Sequence, residues 1–88
     1  MVETLGNVSA DRAEAEPAGD LPGAVSSLCR LHTDVHEMTL DAALKGDRDL
    51  AVQAMSLDPL SAAADFSEIA AMTDELLLAN REWMPRFA

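Results

Sequence analysis

The feature that most constrains the fold is a stripe of apolar residues between positions 21 and 42. They recur every three or four residues, at Leu21, Val25, Leu28, Leu31, Val35, Met38 and Ala42. This spacing follows one face of an α-helix with about 3.6 residues per turn. Asp20 is a suitable N-cap, Pro22 suits the first turn, and Lys45-Gly46 ends the pattern. The sequence therefore predicts one long helix from Pro22 to Lys45.

Two shorter helices are predicted after it. Asp47 is placed to cap a second helix from Arg48 to about Leu57, which Asp58-Pro59 ends because a residue before proline avoids the α region. A third helix begins near Asp65 or Ser67, and Asp65 has the spacing of a capping box with Glu68. Trp83 is a candidate extension of this helix, and Pro85 stops it. Its apolar stripe is Phe66, Ile69, Met72, Leu76 and Leu77.

Residues 1–19 have a different character, with Gly6, Pro17 and Gly19 in a largely polar stretch. Val2–Leu5 fits one short strand, and Val8–Ala15 fits either its partner strand or a helical turn. The predicted fold class is thus mainly α. About three helices form a small bundle over residues 20–88, preceded by an arm over residues 1–19 that is either strand or disordered.

The composition limits both stability and partners. With two Phe, one Trp and no Tyr, a core of small side chains buries little area, so an 88-residue chain is marginally stable without a neighbour. The formal charge is −10, from 16 acidic and 6 basic residues. No basic patch is present to neutralise phosphates, so neither nucleic acid nor an anionic membrane is an expected partner.

No apolar run reaches the roughly 18–20 residues of a membrane span, and residues 1–20 lack the features of a secretory signal. We expect a cytoplasmic location.

Cys29, His32 and His36 form the one cluster with metal-ligating chemistry. Their spacing of three and seven residues puts them on one helix face, where three nitrogen and sulfur donors could bind zinc. The alternative is a buried cysteine beside two histidines on a partly solvated face. The spacing is generic and no second pair of ligands is evident, so the structural interpretation is favoured.

The paired carboxylates also have a simpler explanation than catalysis. Acid–base catalysis needs carboxylates that converge in a cleft, whereas Asp47 and Asp49 flank a helix start, where negative charge is stabilising. Asp74 and Glu75 lie within a predicted helix, so at least one faces solvent. No nucleophile elbow or glycine-rich phosphate loop is present. We therefore assign no catalytic, cofactor-binding or metal-binding residue.

Residues 83–87 are the densest apolar cluster and contain Trp83 and Phe87. Such a cluster either folds back onto the core or fills a groove in a partner, because Trp and Phe are frequent interface anchors. The sequence does not decide between these two roles.

Taken in order, the short motifs of this chain resemble the C-terminal end of family 4 glycoside hydrolases. The resemblance extends from Val2 to Phe87. The motifs that carry it are Val2-Glu3, Gly19-Asp20-Leu21-Pro22, Leu28-Cys29-Arg30, Ala42-Ala43-Leu44-Lys45-Gly46-Asp47-Arg48, Gln53-Ala54, Leu57-Asp58-Pro59-Leu60, Ile69, Asp74-Glu75 and Arg81-Glu82-Trp83-Met84-Pro85-Arg86-Phe87. Between Thr4 and Glu16 the chain departs from the family pattern, which more often has a proline after Val-Glu and a glycine-containing turn.

The resemblance implies a part of an enzyme. Members of the family include α-galactosidases, α-glucosidases and 6-phospho-glycosidases that use NAD and a divalent metal such as manganese. They bind NAD in an N-terminal Rossmann domain and hold the metal in the central part of the chain. Cys29 and His32 do not occupy the family's metal-ligand motifs. The implied partner is the missing N-terminal Rossmann and substrate domain, or a second copy in a homo-oligomer.

We therefore expect a helical C-terminal module, present as a fragment or a separate chain, with a packing role and no activity alone. Two alternatives stay open at this point. The chain could be a freestanding helical interaction module, or a small metal-binding protein that uses Cys29, His32 and His36.

Overall fold

The computed structural model describes residues 4–87. Two short strands come first, β1 (Gly6–Val8) and β2 (Ala13–Ala15), and three helices follow: α1 (Gly23–Lys45), α2 (Arg48–Leu57) and α3 (Phe66–Ala79). A first 3₁₀ turn, Pro59–Ala63, lies between α2 and α3, and a second, Pro85–Phe87, ends the described chain. The predicted fold class, three helices behind a short N-terminal arm, is confirmed.

Helix α1 confirms the long helix but begins differently from the prediction. Its N-cap is Pro22, in an extended conformation with ψ of 142°, and no side chain caps the helix start. Asp20 therefore lies two residues before the cap, and its predicted capping role is wrong. The helix ends as expected, because Gly46 adopts a left-handed conformation with φ of 68° and donates its N–H to the Ala42 carbonyl.

The starts of α2 and α3 confirm both predicted caps. Asp47 accepts a hydrogen bond from the Leu50 N–H at 3.0 Å. Asp65 accepts from the Glu68 N–H, and the Glu68 carboxylate accepts from the Asp65 N–H, both at 2.9 Å. These reciprocal bonds satisfy amides that have no partner within the helix.

Helix α3 ends earlier than the stripe predicts. Asn80 is its C-cap, and the Asn80 side-chain amide donates to the Leu76 carbonyl at 2.8 Å. The chain then turns, with the Trp83 and Met84 N–H groups both donating to the Asn80 carbonyl. Trp83 therefore does not extend α3, and Pro85 begins a 3₁₀ turn rather than stopping a helix.

The N-terminal arm contains an antiparallel hairpin. Gly6 pairs with Ala15 and Val8 with Ala13. Of residues 8–15, only Ala13–Ala15 form the second strand, Val8 ends the first, and the alternative of a helical turn is wrong. The sequence predicts a strand at Val2–Leu5. Thr4 and Leu5 lie just before β1 and are not part of it, and Val2 and Glu3 lie outside the described residues. The proposed boundary between residues 19 and 20 stays a prediction.

The core is small and lies where α1 and α3 each pack on α2. Its buried members are Ala42, Val52, Ala54, Ile69 and Thr73. The chain measures 43 × 35 × 17 Å, and its radius of gyration is 16.6 Å, whereas a compact domain of this length has about 12 Å. Its accessible surface is 7078 Å², about 2,000 Å² more than the roughly 5,000 Å² of a compact 9.4 kDa protein. This flat, extended shape leaves much apolar surface uncovered.

Among the helices that the structure describes, none is both long and apolar enough to cross a membrane. The predicted cytoplasmic location stays a prediction.

Candidate docking surface

The most distinctive surface is an apolar groove between α1 and α3, with α2 as its floor. Both outer helices contact α2, and the space between them has a volume of about 270 Å³. Eight of its eleven lining residues have aliphatic, aromatic or methionine side chains. The groove residues are Thr39, Ala42, Ala43, Ala51, Met55, Thr73, Leu76, Leu77, Asn80, Met84 and Phe87.

The small residues of α1 and α2 create this groove. Ala42 and Ala43 on α1 and Ala51 on α2 line the groove with single methyl groups, which leave its space unfilled. Leu76 on α3 is about half exposed at the groove. The hydroxyl of the buried Thr73 donates to the Ile69 carbonyl at 2.8 Å, so this polar group is satisfied and offers no unpaired donor to a ligand. The groove is thus suited to apolar side chains rather than to a polar substrate.

Residues 80–87, which we call the C-terminal strap, border the groove and rest on the end of α1. The Arg86 guanidinium donates to the Leu44 carbonyl, one of the carbonyls in the last turn of α1. At Gly46 the strap backbone comes so close that a Cβ atom would overlap the Arg86 carbonyl group. Glycine at this position therefore serves both the left-handed cap and the close approach of the strap.

An ion pair links the start of α2 to α3. Arg48 Nε donates to Asp74 Oδ1 and Arg48 Nη2 donates to Asp74 Oδ2, both at 2.8 Å. The hydrogen bond from Arg48 lowers the pKa of Asp74. This bidentate pair links α2 to α3 with a defined geometry, and both side chains are exposed.

Apolar surface extends beyond the groove in two directions. The cluster at residues 83–87 divides: Phe87 lines the groove, whereas Trp83 does not and is 83% exposed to solvent. On the other side, the first half of α1 projects past α2. The uncovered apolar residues of this half are Val25, Leu28 and Leu31, and together with the exposed Leu21 just before the helix they form what we call the α1 face.

The candidate metal donors are not brought together. Cys29, His32 and His36 are all exposed, and no group of three His, Cys, Asp or Glu side chains within residues 4–87 is close enough to hold a metal ion. Seven residues of helix separate Cys29 from His36 by about 10 Å along the axis, too far for one tetrahedral ion. The expectation of a buried cysteine is wrong, because nothing in the described chain covers this part of α1.

The paired carboxylates have structural partners instead of a shared cleft. Asp47 caps α2, Asp49 pairs with Arg48 at 3.1 Å, and Asp74 accepts the bidentate Arg48. Glu75 is exposed on α3. The absence of assigned catalytic residues stays a prediction.

Sequence reasoning missed Arg48 and Arg86, which join separate elements. Each is an isolated basic residue in an acidic chain, and that rarity is the one signal that could have drawn attention to them. Their partners, Asp74 and the Leu44 carbonyl, are 26 and 42 residues away in the chain.

The comparison with protein families gives one match, described as the family 4 glycosyl hydrolase C-terminal domain, over residues 1–61. No solved structure matches the chain significantly.

Among curated proteins, an alpha-galactosidase of Bacillus subtilis (strain 168) is 35% identical over 81 residues, which are 89% of this chain and 19% of that protein. An alpha-galactosidase of Rhizobium meliloti (strain 1021) is 36% identical over 69 residues, 77% of this chain and 14% of the relative. An alpha-galacturonidase of Lachnoclostridium phytofermentans is 31% identical over 87 residues, 98% of this chain and 19% of the relative.

The chain thus spans about a fifth or less of the length of these relatives. The matched family region contains the arm, α1, α2 and most of the first 3₁₀ turn, which is more than two thirds of the 88 residues. The resemblance inferred from the short motifs is confirmed, and this chain belongs to the family 4 glycosyl hydrolase C-terminal domain.

Proposed function

We propose that this chain is an assembly module of a family 4 glycosidase, and that its groove receives apolar side chains from the catalytic part of such an enzyme. The observation that carries the proposal is the uncovered groove in a chain that corresponds to only about a fifth of its relatives' length. A surface that is folded yet left apolar is typical of a polypeptide that buries it against a neighbour.

The energetics favour this role. The chain exposes about 2,000 Å² more surface than a compact protein of its mass, whereas each partner in a standard interface buries about 800 Å². Trp83 lies beside the groove and is the kind of side chain that anchors an interface. Leu76 and Met84, which are partly exposed at the groove, would be covered by the same contact.

The chemistry of catalysis would reside in the partner. Residues 4–87 contain no donor set that fits a divalent metal, and the sequence has no glycine-rich loop for a dinucleotide. The NAD and manganese implied by the family would therefore be bound by the complementary polypeptide, in the cytoplasm. The substrate we propose is an α-galactoside or a related sugar, because relatives are named alpha-galactosidase and alpha-galacturonidase.

The experiment uses the Bacillus subtilis alpha-galactosidase with its matched segment deleted. This chain is supplied either as a separate polypeptide or fused in place of the deleted segment, and hydrolysis of an aryl α-galactoside is measured with added NAD and Mn²⁺. Recovery of activity in either format supports the proposal. Activity that stays at the level of the deleted enzyme in both formats overturns it and leaves a freestanding interaction module.

Matched variants test the surface itself. Leu76→Asp places a charge in the groove and is expected to abolish recovery, because burying an unpaired carboxylate is strongly unfavourable. Leu60→Asp makes the same change at a side chain that is 91% exposed and does not line the groove, so activity should still be recovered. Equal recovery with both variants would contradict docking through the groove.

A further inference from the structure

The groove continues into a second pocket at the end of α3, beside the C-terminal strap. Leu77, Met84 and Phe87 line both spaces, so the two form one continuous surface. The second space, which we call the strap pocket, has a volume of about 400 Å³ and is also lined by Leu78, which is 65% exposed, and by three charged side chains. A partner that lies in the groove can therefore extend into the strap pocket.

Charge distinguishes the strap pocket from the groove. Among the described residues that line the groove none is charged, whereas the strap pocket is lined by Arg48, Asp74 and Arg81. Two guanidinium groups and one carboxylate give this lining a net charge of +1 in a chain of charge −10. The hydrogen bond from Arg48 lowers the pKa of Asp74, so the Asp74 carboxylate is ionised at neutral pH and already paired. Arg48 also pairs with Asp49, which leaves Arg81 as the lining cation that is free to bind.

Arg81 is one of two basic side chains without a partner in the described part of the chain. The six basic residues are outnumbered by 16 acidic ones, and four of the six bind a carboxylate or a backbone carbonyl. These four are Arg12, Lys45, Arg48 and Arg86. Within residues 4–87 the side chains of Arg30 and Arg81 have no such partner, and of these two only Arg81 lies at a pocket. The unpaired cation is thus at the end of the apolar surface.

We propose that the strap pocket binds an apolar residue and a neighbouring Asp or Glu of the catalytic polypeptide, and that Arg81 pairs with this carboxylate. The planar guanidinium of arginine matches a carboxylate with two parallel hydrogen bonds. Because Arg81 is exposed, the pair lies at the edge of the contact, where charges select the partner and its orientation more than they add affinity. This inference rests on the proposed function and specifies what the partner of the groove must carry.

The test titrates the Bacillus subtilis alpha-galactosidase, with its matched segment deleted, with increasing concentrations of this chain. Arg81→Glu should raise the concentration that gives half of the maximal recovery by at least about 10-fold, because two carboxylates would then face each other. The matched control is Arg30→Glu, which makes the same change in net charge at the other unpaired arginine and should leave that concentration nearly unchanged. Activity at saturating concentrations of both variants should equal that of the unaltered chain, since Arg81 positions the partner and takes no part in catalysis.

Salt dependence separates a charge effect from a packing effect. Arg81→Gln should weaken recovery more at about 0.05 M salt than at about 0.5 M, because salt screens an exposed ion pair. Arg81→Lys keeps the charge and should lie closer to the unaltered chain than Arg81→Gln does. A loss that is equal at both salt concentrations would show that the arginine stem only packs, which would overturn the proposal.

A charge exchange tests the chemistry of the partner. A photo-crosslinking residue in place of Leu78 identifies the segment of the deleted enzyme that occupies the strap pocket. Replacing the Asp or Glu of that segment by Arg should restore recovery by Arg81→Glu, and a segment without a carboxylate would overturn the proposal.

The outcomes separate this inference from the proposed function. Equal titrations of Arg81→Glu and Arg30→Glu, with Leu76→Asp still inactive, would refute the role of Arg81 alone. No recovery by the unaltered chain in either format would refute both. If only the fused chain restores activity, the midpoint of thermal inactivation is compared instead, and Arg81→Glu should lower it more than Arg30→Glu.

Discussion

The C-terminal strap packs closely against Gly46 at the end of α1, and the substitution Gly46→Ala tests whether that contact holds the strap in place. The substitution has two effects. An alanine at a φ of 68° is disfavoured by about 1–2 kcal/mol, partly offset by about 0.4–1 kcal/mol from the less flexible unfolded chain. In addition, its Cβ would overlap the Arg86 carbonyl group, so the strap would have to leave the end of α1.

Leaving the end of α1 removes the strap's apolar contacts. Phe87 is half-buried and Met84 partly exposed, and full burial of such a side chain contributes about 1.5–3 kcal/mol, so roughly 1 kcal/mol is lost at each. The hydrogen bond from Arg86 to the Leu44 carbonyl is also lost. We therefore expect Gly46→Ala to lower the free energy of unfolding by about 2–4 kcal/mol.

Gly19 provides the matched control. It also has a positive φ, of 74°, but no atom lies within 4 Å of the position that a Cβ would occupy. Gly19→Ala should therefore cost no more than about 1.6 kcal/mol, because it changes the backbone preference without displacing anything. Urea unfolding followed by far-ultraviolet circular dichroism measures both values.

A double substitution makes the test sharper. If the strap has already left in Gly46→Ala, adding Phe87→Ala should change stability little, whereas Phe87→Ala alone should lower it by about 1 kcal/mol. Equal losses in Gly46→Ala and Gly19→Ala, or additive losses in the double variant, would show that the strap does not rest on α1 as described.

Three further outcomes are expected. Ile69→Ala should lower the free energy of unfolding by about 2–5 kcal/mol in urea titrations, since Ile69 is 5% exposed in the core. Trp83→Ala should change it by no more than about 0.5 kcal/mol in the isolated chain, and a larger loss would mean that the ring is covered. Asp74→Asn should lower the thermal midpoint at pH 7. Because Arg48 depresses the pKa of Asp74 below 3.8, this contribution is present above that value and is lost as the pH falls through the lower, folded-state pKa. The wild type and Asp74→Asn should therefore converge in acid, and a constant difference would contradict the ion pair.

Together, these variants divide the molecule by role. Ile69 and Gly46 hold the helices and the strap in place, so their substitution should affect folding first. Trp83, Leu76 and Arg81 lie on uncovered surfaces, so their substitution should affect association with little change in stability. If stability and assembly can be altered separately in this way, the chain behaves as a module that folds before it binds its partners.

The sequence by itself determined where the helices lie, because the signals that start and stop a helix are local. Asp47, Asp65 and Glu68 form their capping bonds within three residues, and Gly46 and Pro59 act on their immediate neighbours. Two helix ends were exceptions. Pro22 took the cap position of α1 with an extended ψ, which left Asp20 two residues too early to cap, and α3 ended at Ala79, before the predicted stop at Pro85. The family was also readable from sequence, because its short motifs keep their order along the chain.

Only the tertiary structure decided which apolar residues stay uncovered. The periodicity of α1 is the same along its whole length, yet Ala42 is buried and Leu28 exposed because α2 is too short to reach the first half. The fate of Trp83 and the pairing of Arg48 with Asp74 likewise depend on residues far apart in the chain meeting in space. Local spacing cannot specify such meetings, because they are set by the lengths of the helices and by how those helices pack.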